Sequence, residues 1–186
     1  SLQRDVIPSY VDAIAGDAKA TVESRIAAAI DTSILLAADP VIEAWITEGE
    51  PEGALQELVL RRLDRLTTAA DYFTSFLVSS RSRNYWANGM TLLDTVSQDD
   101  PDDSWFFDAL QMDRAYVLNL DYNAEMDATA LFVNVPISIG GSRVAVTGVG
   151  LELSDVIPEV DGSAGKELHL INPAGTIIAT SATEAL

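Results

Sequence analysis

The chain has 186 residues, a length that suits one domain with or without an extension and that can bury a substantial core. Acidic residues outnumber basic ones by 29 to 11, and the formal net charge of −18 argues against nucleic acid or an anionic membrane surface as a partner. The absence of cysteine excludes disulfides, thiol nucleophiles and zinc–thiolate sites. The high negative charge allows a cationic ligand, and the spread of acids over the whole chain also fits a protein kept soluble in high salt.

The first 38 residues are predicted to form one long amphipathic helix. Apolar side chains recur there at spacings of three or four residues, for example at Val11, Ala18, Val22 and Ile26. The stripe runs for longer than a small domain needs. The helix therefore either packs on its own domain or also pairs with a second copy to make a homodimer.

Two shorter helices are predicted next. Asp39-Pro40 ends the long helix and begins another over residues 40–48, because proline suits a first turn and cannot continue the preceding helix. A third helix is predicted over residues 54–69, where leucine and valine side chains line one side. We assign residues 1–70 to this stalk helix and helical segment.

The apolar pattern changes to alternation after residue 70, which predicts strands. Five strands are predicted, over residues 71–80, 83–86, 115–122, 128–139 and 142–153. Short turns at Asn88-Gly89 and Gly140-Gly141 favour antiparallel pairing. The predicted fold class is α+β, with a long N-terminal helix and a PAS-like five-stranded antiparallel sheet flanked by helices.

Residues 99–110, DDPDDSWFFDAL, place four aspartates beside three aromatic rings. The acids need water and the rings need burial, and the start of a helix satisfies both. Asp99 or Asp100 is predicted to cap this helix, with Pro101 in its first turn and acids at its positive N-terminus. The helix is predicted over about residues 102–111, with Trp105, Phe106 and Leu110 turned inward. The alternative is an aromatic lid over a pocket.

The C-terminal part is predicted to begin something new. Residues 154–160 look like a connecting helix, and residues 166–180 like a fresh hairpin around an Asn-Pro-Ala-Gly turn. Because five strands already complete the predicted sheet, we interpret this hairpin as the start of a second, truncated domain. The predicted organisation is residues 1–70, a PAS-like module over 71–153, and the connecting helix and hairpin over 154–186.

The sequence offers little for catalysis. It contains neither a P-loop nor a GxGxxG motif, and its single histidine, His169, is predicted to be an ordinary strand residue. Gly148 and Gly150 are interpreted as glycines that permit close approach of the backbone. The clustered aspartates lack the spacing of an EF-hand. We therefore predict no enzyme, no metal site and no cofactor.

An ordered series of motifs places the chain near a known family. NYWANG, SQDDPDDSWFFDAL, AYVLNLDYN, ALFVNVPI and VTGVGLELSDVI follow the upstream AADPVIEAWITEGE. Together, over about residues 30–180, they resemble the Cache (PDC) sensor domains, the extracytoplasmic input domains of bacterial chemoreceptors, sensor histidine kinases and diguanylate cyclases. The resemblance implies the first module of a double Cache domain.

The resemblance also implies a periplasmic location in an inner-membrane receptor. No apolar run approaches the roughly 20 residues of a membrane span, and no signal peptide is visible. The sequence opens at SLQRDV and stops at SATEAL, so we expect a piece of a longer protein whose flanking membrane helices lie outside it.

The resemblance implies a set of ligand-contacting residues. In related Cache domains that bind amino acids, an arginine two residues before the tryptophan holds the ligand carboxylate, and that position is Asp103 here. A carboxylate at this position repels a ligand carboxylate, which favours an amine or a neutral polar metabolite. The implied contacts are Trp105, Phe106, Tyr116, Asp121 and Glu152, with Tyr85, Asn134 and Arg83. Arg83 either supplies a cation to the site or is a surface arginine.

Two functional hypotheses remain open at this point. The first is a ligand-sensing domain whose pocket lies between the open face of the sheet and residues 88–112, with ligand binding shifting a helix. The second is a structural or dimerisation module of such a receptor that has no ligand of its own.

Overall fold

The computed structural model describes residues 16–88, 91–123, 128–152, 169–171 and 177–180. The chain divides into two compact units, one of residues 29–151 and the other of residues 1–28 with 152–186. Among the residues described, no helix is both long enough and apolar enough to cross a membrane.

Three helices precede the sheet. They are α1 (Gly16–Ala37), α2 (Pro40–Thr47) and α3 (Ala54–Ala69). Asp39 begins α2, since its carboxylate accepts a hydrogen bond at 2.8 Å from the backbone N–H of Val41. Asp39 also pairs with Arg62 of α3 at 3.3 Å, which ties the two helices together. The predicted helices over 40–48 and 54–69 are confirmed, and residues 1–15 of the predicted long helix lie outside the described residues.

Six strands form one antiparallel sheet in the order β3-β2-β1-β6-β5-β4. They are β1 (Thr74–Ser79), β2 (Asn84–Ala87), β3 (Thr91–Thr95), β4 (Val117–Asn123), β5 (Ala128–Ile139) and β6 (Ser142–Glu152). The α+β class is confirmed, but the prediction of five strands is wrong by one. The additional strand, β3, lies at an edge with mostly exposed side chains, so it lacks the apolar alternation that marks the other strands.

Turn chemistry follows the sequence closely. Gly140 and Gly141 have φ values of +59° and +83°, as a tight hairpin between β5 and β6 requires. Asn88 follows β2 with a φ of +49°, in the predicted turn position. The late hairpin is also present as β7 (His169–Ile171) paired antiparallel with β8 (Ile177–Thr180), which confirms His169 as a strand residue. The predicted connecting helix over 154–160 lies outside the described residues.

The two faces of the sheet bury different side chains because residues alternate along each strand. On one face, which we call the helix face, Leu77 of β1 packs with Trp45 of α2 and Leu63 of α3. On the other, which we call the aromatic face, Phe76 of β1 packs with Phe106. The sheet is therefore covered on both sides, by aliphatic contacts on the first and by aromatic contacts on the second.

Two glycines in β6 allow neighbouring groups to approach the strand more closely than a side chain would permit. A Cβ at Gly148 would lie 1.7 Å from the carbonyl oxygen of Val133, and one at Gly150 would lie 2.7 Å from Cγ2 of Thr74. No other residue type fits at Gly148 without moving the backbone of β5. The interpretation of both glycines as close-approach residues is confirmed.

Candidate functional site

The acidic-aromatic segment forms a capped helix on the aromatic face. A 3₁₀ turn at Pro101–Asp103 leads into α4 (Ser104–Gln111). Asp100 caps the turn, since its carboxylate accepts the N–H of Asp102 at 2.9 Å, which confirms the predicted cap. Phe106 is fully buried, whereas Trp105 is half-buried. Within the described part of the chain, no three acidic or histidine side chains converge to hold a metal ion.

Three rings meet where α4 crosses β1 and β2, and we call Phe76, Tyr85 and Trp105 the aromatic cluster. Their ring centroids lie 5.9 Å apart for Phe76 and Tyr85, 5.7 Å for Phe76 and Trp105, and 5.8 Å for Tyr85 and Trp105. Such edge-to-face and tilted geometries are favourable for aromatic pairs. Phe76 is fully buried, while Tyr85 and Trp105 keep part of their surface exposed. The cluster is therefore closed to solvent at Phe76, and its accessible edge is formed by Tyr85 and Trp105.

The hydroxyl of Tyr85 lies in a negative electrostatic environment. Burial raises the pKa of Tyr85 most, and the carboxylates of Asp121 and then Asp103 raise it further. A carboxylate raises the pKa of a phenol because it disfavours the phenolate. The two carboxylates favour a cation nearby, whereas burial disfavours any charge at the hydroxyl itself.

Asp103 is an unusual carboxylate for the start of a helix, because only 9% of its surface is exposed. It accepts the backbone N–H of Ser97 at 2.7 Å and so holds the segment between β3 and α4. Burial raises the pKa of Asp103, the hydrogen bond from Ser97 opposes that change, and Asp100, Asp94 and Asp102 add to it. Asp103 is thus a fixed, partly desolvated acid, at the position for which the resemblance implied an arginine in amino-acid-binding domains.

The register of β4 and β5 places two more predicted residues on the aromatic face. Asp121 pairs with Ala130, and Ala130 belongs to the buried cluster on that face. Asn134 pairs with Val117 and, by alternation along β5, lies on the same face as Phe132. Asp121 is exposed and Asn134 is 2% exposed, so the first is accessible to solvent and the second is not.

The remaining predicted residues lie in several places. Arg83 is exposed, and its guanidinium carbon lies 5.9 Å from the ring centroid of Phe107 on α4, a cation–π geometry. Tyr116 is half-buried just before β4, and Glu152 is partly exposed at the end of β6. The structure therefore brings Tyr85, Trp105 and Phe106 together, with Asp121 and Asp103 in electrostatic reach of Tyr85, whereas Arg83 covers Phe107.

One polar residue on this face was missed by the sequence analysis. Thr74 begins β1, is fully buried, and its hydroxyl has no hydrogen-bond partner among the described residues. Thr74 lies two residues before Phe76 and so on the same face of β1. It is next to Gly150, where an added Cβ would lie 2.7 Å from Thr74 and 3.4 Å from the ring of Phe132. A threonine in a strand is ordinary, so the sequence contains no signal for this residue.

Comparison with known proteins identifies the fold, although no family model matches the chain. The sensory domain of the Campylobacter jejuni chemoreceptor Tlp3 in complex with 4-methylisoleucine superimposes with a TM-score of 0.67 at 15% identity, covering 100% of this chain and 75% of that one. The ligand-binding domain of the Pseudomonas fluorescens chemoreceptor CtaA with L-serine gives 0.60 at 17% identity, covering 84% and 64%.

A histidine kinase shares the same architecture. The sensor domain of Vibrio cholerae DctB superimposes with a TM-score of 0.57 at 13% identity, covering 75% of this chain. The chain spans only 55% of the length of that domain. These likenesses confirm the predicted fold, which the chain shares with sensor domains of chemoreceptors and a histidine kinase.

Proposed function

We propose that this chain is an extracytoplasmic ligand-sensing domain of a bacterial transmembrane signalling receptor, either a chemoreceptor, a sensor histidine kinase or a diguanylate cyclase. The fold supports the proposal, because the similar domains belong to chemoreceptors and a histidine kinase, and two of those chemoreceptor domains were solved with 4-methylisoleucine or L-serine bound. In this proposal residues 71–153 form the sensing module. Residues 1–70 form its stalk, and residues 154–186 begin a second module.

The ligand is proposed to bind on the aromatic face at the accessible edge of Tyr85 and Trp105. The observation that supports this location best is geometric: the rings of Tyr85 and Trp105 lie 5.8 Å apart, and each keeps part of its surface exposed. The carboxylates of Asp121 and Asp103 act on the Tyr85 hydroxyl at the same place. Aromatic faces next to carboxylates form a favourable environment for an organic cation. Trp105 belongs to α4, a helix of 8 residues, so a molecule bound against this ring would contact that helix directly.

The ligand class follows from the charges at the site. A ligand carboxylate near Asp103 or Asp121 would meet repulsion of several kcal/mol, taking like charges about 4 Å apart at an effective dielectric near 20. An ammonium group would be attracted there and would gain about 0.5–2 kcal/mol from stacking on Trp105 or Tyr85. We therefore propose a small amine or a neutral polar metabolite without a free carboxylate.

The signal is proposed to leave through α1. Ser33 of α1 is fully buried and accepts the backbone N–H of Val149 of β6 at 3.1 Å. The neighbouring residue in β6, Gly148, has the ring of Phe76 against it, since an added Cβ would lie 3.3 Å from that ring. A shift of the aromatic cluster would therefore act on Gly148, and the next residue of β6, Val149, is hydrogen-bonded to α1.

A homodimer through α1 belongs to the same proposal, with a changed interface. Val22 and Ile26, two residues of the predicted pairing stripe, are fully buried within the single chain. They are therefore already occupied by contacts inside the chain. The exposed side of α1, where Leu35 is 73% exposed, is the side that remains for a partner helix.

Calorimetry with a panel of amines, neutral sugars and dicarboxylates tests the sensing function. We expect an amine or neutral polar compound to bind, and Trp105→Ala to weaken that binding at least about tenfold, the loss of one stacking contact. Trp86→Phe is the matched control, because Trp86 packs on the helix face. Tight binding of a dicarboxylate that depends on Arg83 would contradict the ligand class. Failure of every compound in a broad metabolite library would favour the structural module.

A further inference from the structure

Thr74 is the polar group on the aromatic face that the fold explains least. Its side chain is fully buried, and its hydroxyl has no partner among the described residues. Leaving a buried hydroxyl unpaired destabilises a folded protein by an amount that native interiors rarely tolerate. Such a hydroxyl is satisfied by a group outside the chain, either an ordered water or a ligand.

Other buried hydroxyls of the same region are paired. Ser75, the next residue of β1, donates to the carbonyl of Leu63 at 2.6 Å, and Thr147 of β6 donates to the carbonyl of Phe76 at 2.6 Å. Both lie on the helix face. The unpartnered hydroxyl is therefore the one that faces the aromatic cluster, where the ligand is proposed to bind.

We propose that Thr74 is a ligand-contacting residue whose hydroxyl forms a hydrogen bond with a polar group of the ligand. This inference rests on the proposed function of the site. Thr74 lies two residues along β1 from Phe76, whose ring touches both Tyr85 and Trp105. The site then has two recognition points, a cation point at the aromatic edge and a hydrogen-bonding point at the start of β1.

The two points define a narrower ligand class than charge alone. A molecule that uses both has an ammonium group at one end and a hydroxyl or amide at the other, with no carboxylate. Amino alcohols are the simplest compounds of this kind. An alkylamine of the same carbon number satisfies only the cation point, so the two compounds differ by the contact assigned to Thr74.

Access to Thr74 involves the neighbouring ring. The hydroxyl is closed to solvent, and Phe132 packs beside it across Gly150. A ligand at Thr74 therefore requires a neighbouring side chain to move, and the Phe132 ring is one that lies close. That ring lies 6.3 Å from Phe76, edge-on, so the same movement reaches the aromatic cluster.

A stability measurement tests whether the hydroxyl is unpaired in the free protein. Thr74→Val keeps the shape and removes the hydroxyl, and we expect its urea midpoint to equal or exceed that of the original protein. Thr147→Val is the matched control, because that hydroxyl is paired, and its midpoint is expected to fall. A fall for Thr74→Val as large as for Thr147→Val would show an internal partner, such as a fixed water, and would overturn the proposal.

A binding measurement tests the role of the hydroxyl in recognition. Calorimetry is run with amino alcohols of increasing length, each paired with the alkylamine of equal carbon number. We expect the best amino alcohol to bind about tenfold more tightly than its alkylamine, the worth of one hydrogen bond. Thr74→Val should abolish that preference and Thr74→Ser should retain it.

The outcomes separate this inference from the function on which it rests. Equal binding of the paired compounds, or a preference that survives Thr74→Val, overturns the role of Thr74 and leaves amine sensing intact. Failure of every amine and amino alcohol to bind overturns both the cationic ligand class and the role of Thr74. The wider metabolite library then decides whether the domain senses another small molecule.

Discussion

The two faces of this sheet are built differently although they share the same strands. The helix face buries aliphatic side chains and the fully buried Trp45, whose indole N–H donates to the carbonyl of Pro51 at 3.1 Å. The aromatic face holds half-exposed rings, the buried acid Asp103 and the unpaired hydroxyl of Thr74. The helix face has one comparable exception, the indole nitrogen of Trp86, which has no partner among the described residues.

The difference indicates that the helix face mainly stabilises the fold and that the aromatic face mainly binds the ligand. Paired polar groups and closed aliphatic packing favour a single rigid arrangement. Unpaired polar groups and a desolvated carboxylate destabilise the free protein, and a ligand that satisfies them is bound more strongly for that reason. Substitutions on the helix face should therefore change stability and leave binding unchanged, whereas those at the accessible edge of the aromatic face should change binding more than stability.

The largest effect on stability is expected from Trp45→Ala on the helix face. The ring is fully buried between α2 and the sheet, so its removal should lower the free energy of unfolding by about 3–5 kcal/mol. Urea titration measures this change. At low temperature, where the variant is still folded, amine binding should be unchanged. Loss of binding in the folded variant would break the distinction between the two faces.

Trp105→Ala should show the opposite balance. The ring is half-buried, so we expect a loss of about 2 kcal/mol, less than for a ring closed in a core. Binding should nevertheless fall more than in any helix-face variant, because the indole forms the accessible edge of the aromatic cluster. Parallel urea and calorimetric titrations give both numbers. A stability loss as large as that of Trp45→Ala would show that Trp105 belongs to the core.

Ser33→Ala is expected to destabilise the domain by about 1–2 kcal/mol. The substitution leaves the amide of Val149 buried without its acceptor, and an unpaired buried donor is costly. Hydrogen exchange of the Val149 amide should accelerate with it. The matched control is Ser79→Ala, which removes a hydroxyl bonded to Glu50 and leaves α1 untouched. Unchanged exchange at Val149 in Ser33→Ala would sink the proposed link between β6 and α1.

Sequence patterns predicted the frame of the molecule better than its site. The helix over 54–69 was predicted with its observed bounds, because its apolar stripe has the helical period and a glycine turn precedes it. Strand β3 was missed because an exposed edge strand has no apolar alternation. The burial of Asp103 and the unpaired state of Thr74 could not be predicted, since both depend on which groups the fold places around them.

The pH dependence of stability should reveal Asp103. Because burial raises its pKa in the folded protein, its protonated form stabilises the fold. That contribution is fully present below the ordinary pKa of an aspartic acid and is lost as the pH rises through the raised value. Asp103→Asn keeps an oxygen for the N–H of Ser97 and cannot ionise, so it isolates this contribution.

The measurement compares urea midpoints of the two proteins across the weakly acidic range. Relative to Asp103→Asn, the original protein should lose stability as the pH rises, while the neighbours Asp94, Asp100, Asp102 and Tyr85 are common to both proteins. A difference that does not change with pH would show that Asp103 titrates normally and that the site lacks the negative field proposed for it.

The smallest effect on folding and the clearest effect on assembly are expected from Leu35→Asp. Leu35 lies on α1 with 73% of its surface exposed, so the folded monomer should change by no more than about 0.5 kcal/mol. If two copies pair through this side of α1, the substitution places two carboxylates in the interface of chains that each already bear a net charge of −18. Sedimentation equilibrium should then show weaker dimerisation.

Leu58→Asp on α3, where the leucine is 42% exposed, adds the same charge away from α1 and should leave dimerisation unchanged. Equal behaviour of both variants, or a monomer at millimolar concentration in the original protein, would leave Leu35 as one of the single exposed leucines that soluble domains commonly have.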